Sequence, residues 1–222
     1  MVGVDRNPAI ADLFRRQDYL GIACDLTDAK AIQAAMDAAV KRFGGVDMLV
    51  LNAGIFPSSS AIKDITAETW KSAMAVNVEA NLLVMQACHG LLRLAPRSGR
   101  VVVIGSKNVP APGIGAAAYS ASKAALNQLA RVAVLEWAKD GIRINTIHPN
   151  AVYDTALWTD EVLASRAKAY NLTVEQYKRN NLLKTEVSSK DVAELTAEMC
   201  GPLFAKTTGA QVPVDGGTEK LV

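Results

Sequence analysis

Long apolar runs are missing from this 222-residue chain. The longest are strand-sized, well short of the roughly 20 residues that a membrane-spanning helix needs, so no membrane association is expected. Paired cysteines are missing too. Cys24, Cys88 and Cys200 are odd in number and far apart, which suggests neither a disulfide framework nor a zinc site, and no metal is expected. An excess of one charge is also lacking: 24 Lys and Arg stand against 22 Asp and Glu, a formal net charge of +2. With no basic stripe interleaved with aromatics, nucleic-acid binding has no support. Neither an internal repeat nor a low-complexity linker appears, and the N-terminus does not read as a signal peptide. The expectation is one cytoplasmic domain over residues 1–222, large enough for a full core.

What is present alternates. Strands are expected at residues 1–5, 19–24, 46–51, 100–104, 142–147 and 210–214. Between them, Ile32, Ala35, Met36, Ala39, Val40 and Phe43 recur at helical spacing behind Thr27 or Asp28, either able to cap, and Gly44-Gly45 stops the helix. A helix capped by Thr66 runs on through Asn77 towards Leu94, with a bend allowed along it, another spans residues 119–139, and a further one 191–200. Residues 151–190 form a polar, partly helical insert. Strands joined by crossovers of this length favour a doubly wound parallel sheet in three layers, an α/β fold of Rossmann type. Ligands on such sheets sit at the carboxyl ends of strands, and Asp5, Asp25, Asn52 and Ser106 all stand there.

Residues 106–123 carry the chemistry. The strand Val101-Val102-Val103-Ile104 ends at Gly105 and delivers Ser106; a loop with Pro110, Pro112, Gly113 and Gly115 follows. Then Tyr119-Ser-Ala-Ser-Lys123 opens a long helix, and the four-residue step sets Tyr119 and Lys123 on one face. A protonated lysine so close favours the phenolate, so the tyrosine pKa is expected to fall from its usual value of about 10. A Ser106 hydroxyl nearby could hold a carbonyl oxygen while the tyrosine gives or takes a proton.

This arrangement resembles the short-chain dehydrogenase/reductase family, in which serine, tyrosine and lysine, with an asparagine, support hydride transfer on a nicotinamide cofactor. The resemblance implies that Tyr119 is the general acid/base, that Lys123 assists it and holds the nicotinamide ribose, that Ser106 polarises the substrate oxygen, and that Asn77 supports a proton relay. Asn52-Ala53-Gly54 is similar to the family's Asn-Asn-Ala-Gly element, Leu51 replacing the first asparagine; the small residues admit the cofactor and Asn52 ties strands together. Asp5 is placed on the adenosine ribose, which favours NAD over NADP, although Arg6 beside it argues the other way; Asp25, with Leu26, is placed against the adenine. The segment Asn145–Asn150 resembles the family's Pro-Gly stretch, with Pro149 kept and Asn150, tolerant of left-handed backbone, in place of glycine. Val152 and Thr155, the latter one position late, are expected near the nicotinamide. His148 reads as a loop residue and His89 as a helix-surface one.

The C-terminal run Thr208–Gly217 strongly resembles the family's last strand and turn, which packs across a subunit interface in relatives. The Tyr119 helix is apolar all round, as a helix buried on every side would be, so a homodimer or homotetramer is expected. One family element is missing: no Gly-x-x-x-Gly-x-Gly occurs, and the chain starts at what should be the second strand. The expectation is an N-terminally truncated domain, lacking the first strand and the loop that cradles the pyrophosphate. In detail the chain looks most like the dehydrogenase part of fused rhamnulose-1-phosphate aldolase/alcohol dehydrogenases, which implies a lactaldehyde-like substrate. Two readings follow: an oxidoreductase acting on a small alcohol or carbonyl with NAD, or a non-catalytic, oligomerising remnant that cannot hold a dinucleotide.

Overall fold

The computed structural model describes residues 1–218. Its strands are β1 (Val2–Asp5), β2 (Leu20–Ala23), β3 (Met48–Leu51), β4 (Arg100–Ile104), β5 (Arg143–Pro149) and β6 (Gln211–Val214), and every pairing is parallel. The helices are α1 (Ala29–Phe43), α2 (Ala67–Met74), α3 (Ala80–Arg93), α4 (Ala117–Trp137), α5 (Asp160–Ala169), α6 (Val174–Lys178) and α7 (Ser189–Cys200).

β4 and β5 are buried on both faces; β4 is accordingly a run of β-branched apolar residues, while β5 carries the buried polar Asn145, Thr146 and His148 beside Ile144 and Ile147. Successive side chains alternate between faces. Val101 and Val103 therefore join Ile32, Met36, Leu92, Leu126 and Ile144 in one core, while Val102 joins Ile147, Met199 and Cys200 in the other. These two apolar layers give the α/β/α sandwich. α1 shows why the sequence pattern works: Ile32, Ala35, Met36 and Ala39 are its buried face, Asp28 caps it by accepting from the Lys30 and Ala31 amides, and Gly44 ends it at φ 87°. At the other end of the molecule Arg100 and Arg143, paired across β4 and β5, donate to the carbonyls of Cys200, Met199 and Phe204, stopping the end of α7.

The six strands do not make one sheet. β1 and β2 form one ladder, and β3-β4-β5-β6 a second, with no hydrogen-bonded ladder joining β1 to β3 among the described residues. The gap between the two ladders falls beside β3, where Met48 is 50 % and Val50 44 % exposed in a strand whose pattern is fully apolar. Leu51 and Val4 still pack into the common core, which holds the small sheet to the large one.

The helix through Asn77 is interrupted: α2 and α3 are joined by a π-turn over Ala75–Glu79. Two further expectations change. His148 lies in β5 and is buried, not in a loop. Asn150 has no left-handed backbone; its N–H continues the parallel pairing to the Val214 carbonyl at 3.0 Å.

Candidate active site

Asn77, Ser106 and Tyr119 sit where a strand or helix begins or ends, and Lys123 lies one turn further along the Tyr119 helix. Gly105 and Ser106 leave β4, and the Ser106 Oγ accepts from the Asn108 amide at 3.1 Å, which turns the chain. A Cβ on Gly105 would lie 2.7 Å from His148 Nδ1, so only glycine lets the imidazole pack there. That ring touches the Ser106 backbone, its Nδ1 3.0 Å from the carbonyl oxygen, and its Nε2 is 2.7 Å from Gln211 Oε1. His148 therefore ties the serine's backbone to β6, a role the sequence did not reveal because the residue pattern Ile-His-Pro ends a strand and begins a loop equally well.

Tyr119 and Lys123 project from one face of α4 as the spacing requires. Phe56, in the loop after β3, packs against the Tyr119 ring at 4.5 Å between centroids. Lys123 is 4 % exposed; its Nζ donates to the Ile104 carbonyl at 2.8 Å and lies 5.9 Å from the centre of the Tyr119 ring. The expected fall in the tyrosine pKa is not found. Burial raises the Tyr119 pKa above its ordinary value, and a hydrogen bond with the Ser106 side chain opposes this only in part. Burial also lowers Lys123, to about 8, so the lysine's charge is held with difficulty and offers the phenolate less.

Asn77 is fully buried on the π-turn. Its Nδ2 donates to the Ile55 carbonyl and to Ser122 Oγ, both at 2.9 Å, and its Oδ1 accepts from the Ile55 amide at 2.7 Å. The side chain thus clamps the loop after β3 to α4, one residue away from Lys123. π-turns of this kind often occur at functional sites because the extra residue re-aims a side chain. Gly54 lies between these groups: a Cβ on it would come 3.1 Å from Asn77 Oδ1 and 3.5 Å from Lys123 Nζ. The missing side chain leaves a floor on which a flat ligand can lie.

Ser106, Tyr119, Lys123 and Gly54 face one cavity of about 960 Å³ at the carboxyl ends of the large sheet. Of the expected cofactor residues, Asn52, Pro149, Val152 and Thr155 line it as well; Asp5, Asp25, Leu26 and Ala53 do not. Asp5 and Asp25 are exposed at the ends of β1 and β2, where each holds a turn: Asp5 accepts from the Asn7 amide, Asp25 from the Thr27 amide and hydroxyl. Those Thr27 bonds, more than the nearby Arg6, lower the Asp25 pKa. Leu26 and Ala53 are half-buried, and Leu26 packs on the core. Asn52 does not tie strands together. Its side chain is exposed and makes no hydrogen bond among the described residues, because β3 is the edge of its ladder and offers no strand to tie. The Thr155 hydroxyl donates to the Val152 carbonyl at 2.8 Å, closing a local turn. His89 is on a helix as expected, paired with Asp140 at 2.9 Å and stacked on Trp137. No cluster of metal-ligating side chains occurs among the described residues.

Sequence reasoning missed the cavity's outer wall. Tyr153, Trp158, Tyr170 and Tyr177, all from the insert, pack ring against ring with centroids 5.0–6.4 Å apart. The signal was there: four large aromatics in a polar stretch of a chain with few.

A parallel α/β sandwich carrying serine, tyrosine and lysine around one cavity at the strand ends defines the dinucleotide-linked oxidoreductase type. The family model described as enoyl-(acyl carrier protein) reductase matches residues 4–219, and the chain belongs to the short-chain dehydrogenase/reductase family. An uncharacterized oxidoreductase of Bacillus subtilis (strain 168), YuxG, is 32 % identical over 213 residues, covering 94 % of this chain and 31 % of its own length. D-threitol dehydrogenase of Mycolicibacterium smegmatis is 34 % identical over 137 residues, 62 % of this chain and 52 % of its own. The chain therefore spans about a third to a half of these curated relatives. Sorbitol-6-phosphate 2-dehydrogenase from Erwinia amylovora shares the fold at TM-score 0.87 and 21 % identity, over 100 % of this chain and 90 % of that one. Solved structures of the fold include complexes with NAD(H) and with NADP(H).

Proposed function

We propose that this chain transfers a hydride between NAD(H) and a small alcohol or carbonyl compound. The observation that carries the proposal is the convergence of Ser106, Tyr119 and Lys123, from β4 and α4, on the cavity whose floor is Gly54. The nicotinamide ring supplies the hydride donor or acceptor when bound. In the oxidative direction the substrate's C–H electron pair leaves with the hydride and the hydroxyl proton passes to Tyr119; in reduction both moves reverse. Ser106 holds the substrate oxygen, Lys123 faces the ribose, and Asn77 positions the loop after β3. Because burial keeps the Tyr119 phenol protonated, the site favours giving a proton to a carbonyl at neutral pH. Pro149, Val152 and Thr155 would flank the nicotinamide half, and Asn52 and Ala53, with Asp25 and Leu26, would serve the adenosine half.

The exposed Asp5 carboxylate at the end of β1 supports NAD over NADP, since it repels a 2′-phosphate. Resemblance to the dehydrogenase part of fused rhamnulose-1-phosphate aldolase/alcohol dehydrogenases supports a substrate of lactaldehyde size. Three buried free cysteines fit a reducing compartment, hence the cytoplasm, and no helix among the described residues is long and apolar enough to cross a membrane. A non-catalytic scaffold would leave the buried Lys123 at the edge of a large cavity unexplained.

The test is NADH oxidation with lactaldehyde at millimolar cofactor, for the parent and for Tyr119→Phe. Loss of at least about 100-fold is expected, the contribution typical of a positioned acid. Activity within about tenfold of the parent would remove tyrosine as the acid/base. Preference for NADPH in the same assay would show that Arg6, not Asp5, sets the cofactor.

A further inference from the structure

Six of the chain's twelve aromatic residues line this cavity, and its basic residues are distributed as unevenly. Lys107, Lys123, Arg166 and Lys184 face it, while no Asp or Glu does among the described residues, although bases and acids are nearly equal over the whole chain. A concave wall of one sign, backed by apolar rings, concentrates positive potential on whatever enters.

Arg166, on α5, is the cation placed to meet a substrate. It is half-buried and pairs with no carboxylate among the described residues. One guanidinium nitrogen donates to Ser59 Oγ at 3.0 Å. The charge also reaches Tyr177, whose phenol it pulls down against the larger effect of burial. Ser59 belongs to the loop that walls the Tyr119 side of the cavity: the Ser60 amide donates to the Gly115 carbonyl at 3.0 Å, just before α4, and Phe56 lies on the Tyr119 ring. The guanidinium is thereby fixed on the side where the phenol meets its substrate. Asp5, Asp25 and Leu26, the adenosine-side candidates, do not touch this cavity. A guanidinium has five N–H donors in a planar fork matched to a carboxylate or phosphate, and a single neutral hydroxyl leaves most of that fork unused.

We propose that Arg166 binds an anionic group on the substrate, so that the site takes a short hydroxy- or oxo-compound bearing a carboxylate or phosphate a few bonds from the reacting carbon. The proposal rests on the oxidoreductase reading and narrows it: lactaldehyde has the size but lacks the charge. The aromatic wall of Tyr153, Trp158 and Tyr177 covers the substrate's carbon chain, and Arg166 selects for its anionic end.

Binding can be tested without dinucleotide, and so apart from catalysis. Calorimetry of the 222-residue protein with glycerol, lactate and glycerol 3-phosphate compares a neutral, a carboxylate and a phosphate three-carbon compound. At least one anion is expected to bind about tenfold or more tighter than glycerol, and the better of the two names the group. Arg166→Gln should weaken that anion by about 10- to 100-fold, the worth of a charge-assisted bond, with Arg166→Lys recovering part. Ser59→Ala, which removes the latch but keeps the guanidinium, should leave it within about threefold. The proposal is overturned by anions that bind no better than glycerol, a comparison that needs only the parent protein. It is equally overturned if binding is indifferent to Arg166→Gln, the anion then occupying a cofactor phosphate position, or if Ser59→Ala does the same damage as Arg166→Gln. In turnover with NADH, Arg166→Gln should raise KM for glyceraldehyde 3-phosphate with little change in kcat. Absence of all turnover at saturating NADH would sink the oxidoreductase reading while leaving the calorimetric result to stand alone.

Discussion

Lys123 shows how one residue can weaken a fold to serve a site. Its charge is buried behind Ile104 without a carboxylate partner among the described residues, and the pKa falls from 10.5 to about 8. The sign here is the reverse of the usual lysine. Between pH 8 and 10.5 the unfolded chain holds a proton that the folded chain has lost, so stability from this group rises with pH through that window and is lowest below 8. Removing the charge with Lys123→Met should therefore help most at neutral pH. Chemical denaturation of both proteins should show the difference moving in the parent's favour by on the order of 3 kcal/mol between pH 7 and 10.5. A pH-independent difference would mean that the lysine is solvated in solution. The pairing of Tyr119 with Lys123 was readable from four residues of sequence because helical geometry guarantees it. The direction of the Tyr119 pKa was not, since desolvation depends on Phe56 and on walls assembled from distant segments.

At the scale of elements, the boundaries of α1, β4 and α7 follow from caps, stops and apolar periodicity that act within a few residues. The break between α2 and α3 does not, because one π-turn shifts the helical phase too little for a hydrophobic pattern to register. What holds the break is Asn77, whose three side-chain bonds to Ile55 and Ser122 close it. Asn77→Ala would strand the half-buried Ile55 amide and carbonyl, at an expected loss of about 2–4 kcal/mol in urea unfolding. A loss under about 0.5 kcal/mol would show that the turn forms without the clamp. β3 is the counterpart on the sheet: its apolar sequence reads as a central strand, but it folds as an edge with Met48 and Val50 exposed.

For the whole molecule, two expectations concern what the 222-residue chain can hold. Its sequence has no glycine-rich turn to donate backbone N–H groups to a pyrophosphate, and β1 and β3 are separate edges. Two or three charge-assisted bonds at about 1.5–3 kcal/mol each separate a micromolar site from a millimolar one. Calorimetry with NADH should thus give a dissociation constant in the millimolar range or weaker; micromolar binding would mean that another segment serves the phosphates. Assembly is the second. In the single chain α4 leaves Leu135 81 % exposed, next to an exposed Val132. We propose this face as the contact of a homodimer or homotetramer. Sedimentation should show a mass of two or four chains for the parent and of one for Leu135→Glu with an unchanged melt; a single-chain parent would end the idea.

The sequence by itself determined the α/β alternation, the parallel sheet with ligands at its strand ends, and the Ser106, Tyr119 and Lys123 constellation. Each depends on short-range periodicity, capping or an i,i+4 step that any folded context preserves. Only the tertiary structure decided that Asp5 and Asp25 stand apart from the cavity, that Asn52 ties nothing, that His148 backs the serine, and that Arg166 meets Ser59 across 107 residues of chain. Those facts depend on which segments become neighbours and how much water they exclude, and no local pattern of residues encodes either.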